Sequence, residues 1–188
     1  MPFSREDFLL VLVNYNEAIW PLPIVAYLAV AFVVGILFFK SRATSILITF
    51  VLGLMWTLSG VVIHGIFFSA LNPVASAFAF IFAVEAGLLF AAPWMLSGLR
   101  FQVKRDASPI CGGALILFAA ILCPLWGGIA GDSYPAIPAF GIAPCPTTIF
   151  TLGVPQVGGL LIAFVILVIF AVAHWRGWAF SRHLVHQT

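Results

Sequence analysis

The chain alternates between long apolar runs and short polar breaks. Five runs approach or exceed the roughly 20 apolar residues that a helix needs to cross a hydrocarbon core. They cover about 21–39, 44–67, 73–97, 110–130 and 156–173. Pro21 and Pro23 fall in the first turn of the first run, where a missing N–H costs little. Ahead of that run, Ser4 predicts a helix N-cap, with Asp7 three residues on as the capping-box acid. Phe8, Leu9, Leu12 and Val13 then recur at helical spacing and predict an amphipathic helix on the outer membrane surface. Residues 133–173 carry no charge and no histidine, and Pro135, Pro138, Pro144, Pro146 and Pro155 break the first half. This predicts an outer loop over 131–155 that dips inward as a short helix at 147–153. Irregular backbone at such depth is tolerated only against protein or a water-filled cavity.

Small residues predict which faces pack, because lipid does not drive helices together. Thr49, Gly53, Thr57, Gly60 and His64 fall on one stripe of the second run. Gly112, Ala119, Cys123, Gly127 and Ala130 do so on the fourth. On the third, Ala75, Ala79, Ala83 and Gly87 repeat every four residues. Glu85 lies about 160° from that stripe, on a face with Phe78, Ile81, Phe82 and Leu89. The third helix is therefore expected to pack on its small face and to carry a carboxyl on the opposite one. Trp20 and Trp126 mark outer ends, and Trp94, Trp175 and Trp178 inner ends, at the headgroup level that indoles favour. Trp56 alone lies mid-run.

Composition supports the membrane reading. The chain is 63% hydrophobic and 7% charged, against about 25% charged for a soluble domain. Such a chain cannot cover a water-facing surface. The expectation is an all-α integral membrane bundle of about five transmembrane helices plus the N-terminal amphipathic helix. It forms one transmembrane domain over 1–188: an outer interfacial helix to residue 19, a bundle over 20–175 and a cytoplasmic tail over 176–188. Lys40, Arg42, Arg100, Lys104, Arg105, Arg176 and Arg182 all fall on one side of these runs, and only Arg5 on the other. Basic residues are held on the cytoplasmic side, so the N-terminus is expected outside and the C-terminus inside. Three early acids and the lack of a basic n-region argue against a cleaved signal peptide. The basic residues are scattered between runs, which argues against nucleic acid. Lipid, a small solute or ion, and further copies of the chain are the expected partners.

Glu85 is the sharpest chemical point. A charged side chain in mid-span costs at least about 2.5–3.5 kcal/mol, so such residues normally face a partner or a pathway. The functional reading is a proton- or cation-responsive group; the bland one is a neutral acid bonded to a neighbouring helix. His64, near the outer end of its run, is a candidate relay or an interfacial histidine bonded to a carbonyl. Thr57 shares its stripe. Cys123 and Cys145 each precede a proline and suit a soft metal, a disulfide or plain packing. No CxxC, CxxH or HExxH spacing supports a metal site. Asp132, Glu6, Asp7 and Glu17 leave the outer side acidic, which either draws cations or reflects the depletion of Lys and Arg there. Thr147, Thr148 and Thr151 either line a mouth or satisfy backbone freed by the prolines. No P-loop, GxSxG or dinucleotide fingerprint is present, and no cofactor is expected.

Two stretches, MPFSREDFLLVLVNYNEAIWP at 1–21 and FGIAPCPTTIFTLG at 140–153, resemble an uncharacterised family of bacterial multi-pass membrane proteins. The PCPTTIFT run at 144–151 is its most specific part. The resemblance implies a bacterial plasma membrane and a generic permease label without an established activity. Members carry a further hydrophobic hairpin before a later GVP stretch. Here Gly153, Val154 and Pro155 follow at once, as in a chain shortened by one hairpin.

The function expected is that of a small transporter, channel or permease-like component built around Glu85, His64, Thr57, Cys123 and Asp132, and not an enzyme. The alternatives are a membrane metal-binding protein or metalloenzyme using His64, Glu85, Cys123 or Asp132, and an assembly subunit without a site of its own.

Overall fold

The computed structural model describes residues 4–39, 41–96, 98–101, 108–129, 131, 133–137 and 143–154. The run at 156–173, the tail at 176–188, Asp132, Lys40, Lys104, Arg105, Arg176 and Arg182 lie outside the described residues. Every regular element among the described residues is helical. Helix α1 is Arg5–Ala18, α2 is Leu22–Ile36 and α3 is Arg42–Thr57, continued as a π-helix over Leu58–Phe68. Helix α4 is Ala75–Met95. Helix α5, Ser108–Leu117, runs through a π segment at Phe118–Leu122 into α6, Cys123–Ile129, and α7 is Pro144–Gly153.

Two helices are long and apolar enough to cross a membrane: Arg42–Phe68, with 27 residues, and Ala75–Met95, with 21. A third counts if α1 and α2, bent by 79°, form one broken span. These match the second and third apolar runs. The first run gives only the 15-residue α2, because its end at Phe38 and Phe39 turns toward the Ser41 cap of α3. The fourth run gives a shorter continuous apolar helix among the described residues, Gly112–Trp126, with a π segment that precedes Pro124. A proline has no N–H for the carbonyl four residues back and its ring crowds that carbonyl, so a regular helix cannot pass through unchanged. Here the Cys123 N–H bonds the Phe118 carbonyl instead. The Tyr27 hydroxyl of α2 donates to the Ala120 carbonyl at 3.1 Å, the group that Pro124 leaves short of a donor.

The capping box forms as expected. The Asp7 N–H donates to Ser4 Oγ at 3.1 Å, and the Ser4 N–H donates to Asp7 Oδ2 at 2.9 Å. The Ser4 backbone N–H, and then its hydroxyl, hold the Asp7 carboxyl below its usual pKa. A depressed carboxylate stabilises at pH values above its unfolded pKa and ceases to do so as pH falls through the lowered one. Amide exchange at the first turn of α1 is therefore expected to be slow at neutral pH and to rise once acidification protonates Asp7. Hydrogen-exchange mass spectrometry corrected for intrinsic rates measures this.

Helix α1 buries Leu12, Tyr15 and Asn16. Its aromatic residues rest on the end of the first π segment, with Tyr15 and Phe67 rings 5.4 Å apart and Phe8 and Phe68 5.3 Å apart. Asn16 is fully buried and donates through Nδ2 to the carbonyls of Pro135 at 2.6 Å and Ile137 at 2.8 Å. This ties the described part of the loop after α6 to α1. At the other end, the Phe101 N–H donates to Ser45 Oγ at 3.1 Å. Arg42 and Arg100 therefore share one end of the α3–α4 hairpin, while α1, with Glu6, Asp7 and Glu17, packs at the opposite end.

The central core joins α2, α3, the second π segment and α7 through Val33, Ile48, Leu52, Ala119, Phe150 and Val154. The PCPTTIFT run forms α7, which starts three residues before the expected helix and is largely buried. Its Gly153 lies on the backbone of α5, where an added Cβ would stand 2.8 Å from the Gly112 carbonyl oxygen and 2.9 Å from Ile116 N.

A buried carboxyl between two glycine contacts

Helices α3 and α4 pack as an antiparallel pair, and glycines on the first set how close they come. A Cβ on Gly53 would stand 2.7 Å from the Phe90 ring; one on Gly60 would stand 2.5 Å from Phe82 Cβ and 3.3 Å from the Ala79 carbonyl oxygen. The stripe of Thr49, Gly53 and Gly60 thus faces other helices, as its small residues predict. Helix α4 departs from the expectation on its carboxyl face, while only the start of its small stripe packs. It buries Ala75, Phe82, Glu85, Ala86 and Pro93, whereas Ala83 and Gly87 of its small stripe are exposed. The reason is geometric. Close approach needs small residues on one partner only, and Gly53 and Gly60 supply them, so α4 can bring its bulky face with the carboxyl.

Between the two glycine contacts lie Trp56 and Thr57 on α3 and Glu85 on α4. Glu85 is 2% exposed, and its Oε2 is buried without a hydrogen-bond partner. Its helical neighbours Phe82 and Ala86 join Trp56 in an apolar cluster edged by Leu89 and Phe90. The polar groups level with Glu85 are already committed. Thr57 donates its hydroxyl to the Gly53 carbonyl of its own helix at 2.8 Å. The Trp56 indole N–H donates to Thr151 Oγ1 at 2.9 Å, and Thr151 donates in turn to the Thr147 carbonyl at 2.9 Å. Ser59 donates to Thr147 Oγ1 at 3.2 Å.

His64 stands further along, on the first π segment. Its Nε2 is buried without a partner, and its ring contacts Phe82 at 5.3 Å, Phe78 at 5.8 Å and Phe68 at 6.1 Å. Phe82, one turn from Glu85, touches both Trp56 and His64. The hairpin thus gathers Glu85, Thr57 and His64 along one interface. Cys123 is not part of it. It begins α6 on the rod that packs against α7. Cys123 and Cys145 are both free thiols. Among the described residues, no group of three or more His, Cys, Asp or Glu could hold a metal ion.

The α3–α7 hydroxyl seam was not foreseen as a unit. Its signal was Trp56 and Ser59 at i, i+3 opposite Thr147 and Thr151 at i, i+4, spacings that put each pair on one helix face. The threonines do bond backbone carbonyls, Thr148 to Pro144 at 2.8 Å and Thr151 to Thr147. Thr151 also accepts from Trp56, and Thr147 from Ser59, so these two threonines fix α7 in place. Asn16, not singled out from the sequence, is a buried clamp on the Pro135 and Ile137 carbonyls.

A family model matches residues 5–188. The chain belongs to DUF6064, a family of unknown function. No curated protein and no solved structure matches it. Membership therefore brings no activity to the DUF6064 chain, and its function must be argued from its own side chains.

Proposed function

We propose that this chain is a small multi-pass membrane protein of the channel or permease type, in which Glu85 is the ionisable group on which activity depends. One observation carries the reading: a carboxyl 2% exposed, with an unpartnered oxygen, at the middle of a 21-residue apolar helix. Ionisable groups in such a setting are expensive to bury and mark pathways. In this reading α3 with its π segment and α4 form a transmembrane hairpin. Helix α2 and the α5–α6 rod join them in a plasma-membrane protein, and the apolar run at 156–173, outside the described residues, is the further span that the sequence predicts. The Arg42 and Arg100 end is cytoplasmic by the positive-inside bias, and α1 lies at the outer face. The 79° bend between α1 and α2 supports this, because a helix nearly perpendicular to a spanning one lies along the membrane plane.

Reconstituted vesicles test the reading. Wild-type protein is expected to pass charge under an imposed potential faster than protein-free vesicles, as read with a potential-sensitive dye. Glu85→Gln should fall to the protein-free rate. Equal rates for wild type and variant remove Glu85 from the activity.

A further inference from the structure

Resting on that reading, we propose that the species passed by Glu85 is a proton, rather than a metal cation or an organic solute. Three observations converge. The first is space. The two glycine contacts bracket Glu85, and at each an added methyl would overlap α4 at 2.7 or 2.5 Å. At Gly60 the overlap is with Phe82 Cβ and with backbone of α4, which no rotamer change relieves, so the helices leave no standing gap there for a solute or a hydrated ion. A proton needs no such gap, because it moves by exchange of an O–H bond. Single water molecules that reach the carboxylate transiently carry the exchange: a hydronium gives its proton to a carboxylate oxygen of Glu85, leaving water and a neutral acid. The neutral acid then gives the proton to water on the other side, and no electron pair is gained or lost overall.

The second is ligand count. Calcium takes 6–8 oxygen ligands, and potassium filters build rings of carbonyls. Glu85 is the only acid on α3, α4 or their π segment. The hydroxyls of Thr57 and Ser59 donate to other groups and can offer an ion only their lone pairs. The Trp56 indole N–H offers no lone pair, so the set stays far short of such a shell. A dehydrated metal ion would meet one carboxylate in an apolar cluster, whereas a proton needs a single oxygen.

The third is a second proton acceptor on the same interface. His64 Nε2 is buried and unpartnered, and its ring shares Phe82 with the Glu85 cluster. Imidazole takes up and releases protons through its two nitrogens. The other charged group on the element packed against α4 is Arg42, at the far start of α3.

The experiment uses full-length protein in vesicles loaded in parallel with a pH dye, a sodium dye and a calcium dye. An impermeant organic salt is the bulk electrolyte, and trace potassium with valinomycin balances charge. The expected result is internal acidification by wild type without external sodium or calcium, unchanged when either is added and lost in Glu85→Gln. A static internal pH alongside Glu85-dependent entry of sodium or calcium overturns the proton assignment and leaves the channel reading intact. No difference from protein-free vesicles on any dye overturns both. The wild-type dye readings decide the cargo even where the glutamine variant does not fold.

Discussion

Gly60→Val is expected to push α3 away from α4 and to destabilise the protein by about 3 kcal/mol, the upper part of the usual range for overpacking. The neighbours leave no escape. The nearest atom to a new Cβ is Phe82 Cβ at 2.5 Å, with Ala79 O at 3.3 Å and Ala83 N at 3.4 Å. Two of these are backbone, and the third is the first atom of its side chain, so no rotamer change relieves the overlap. Gly53 differs, because what it meets is the far end of the Phe90 ring, which can swing aside. Gly53→Ala should therefore cost less than Gly60→Ala. Gly87→Ala is the control: nothing lies within 4 Å of its Cβ position, and alanine improves helix propensity by about 1 kcal/mol. Unfolding midpoints in detergent should rank the variants in that order. A Gly60→Val protein as stable as wild type would mean that α3 and α4 do not approach as described.

Trp56→Ala has the second large effect, about 3–5 kcal/mol, the usual range for emptying a buried Trp site. The side chain is fully buried, its ring lies 4.6 Å from Phe82, and its N–H holds Thr151. One residue therefore joins α4, α3 and α7, and its loss should loosen α7 as well as the hairpin. Trp56→Phe separates the two contributions. It keeps most of the ring packing and removes the hydrogen bond, which within membranes averages about 0.6 kcal/mol. Unfolding midpoints for the two variants check this. Equal losses would mean that the indole N–H, not the ring volume, carries the stability.

The extent of α3 and α4 was legible because an apolar run of fixed length needs no partner to be recognised. The Ser4–Asp7 box was legible because it is local. The glycine stripe of α3 was legible because only small residues permit close approach. The face of α4 was not. That helix is apolar on every side, so periodicity does not separate the packed face from the outer one, and the alanine stripe was a second plausible answer. The first π segment leaves no pattern in Leu58–Phe68, although Pro124 does flag the second. The α7 contacts join residues 88 and 95 positions apart, and a single sequence does not reveal such pairings. Glu85 itself was found from cost alone, as a carboxyl in an apolar run. What the sequence could not reveal is that the carboxyl is buried and that Oε2 has no partner.

The central claim is that α4 crosses a bilayer with Glu85 turned inward and its Ala83–Gly87 side turned to lipid. Spin labels at Ala83 and Gly87, on a background with Cys111, Cys123 and Cys145 replaced, test it in vesicles by comparing relaxation by oxygen, which dissolves in lipid, with relaxation by a water-soluble nickel complex. The account predicts strong oxygen and weak nickel relaxation at both positions. Strong nickel relaxation there would put this face of α4 in water and contradict it.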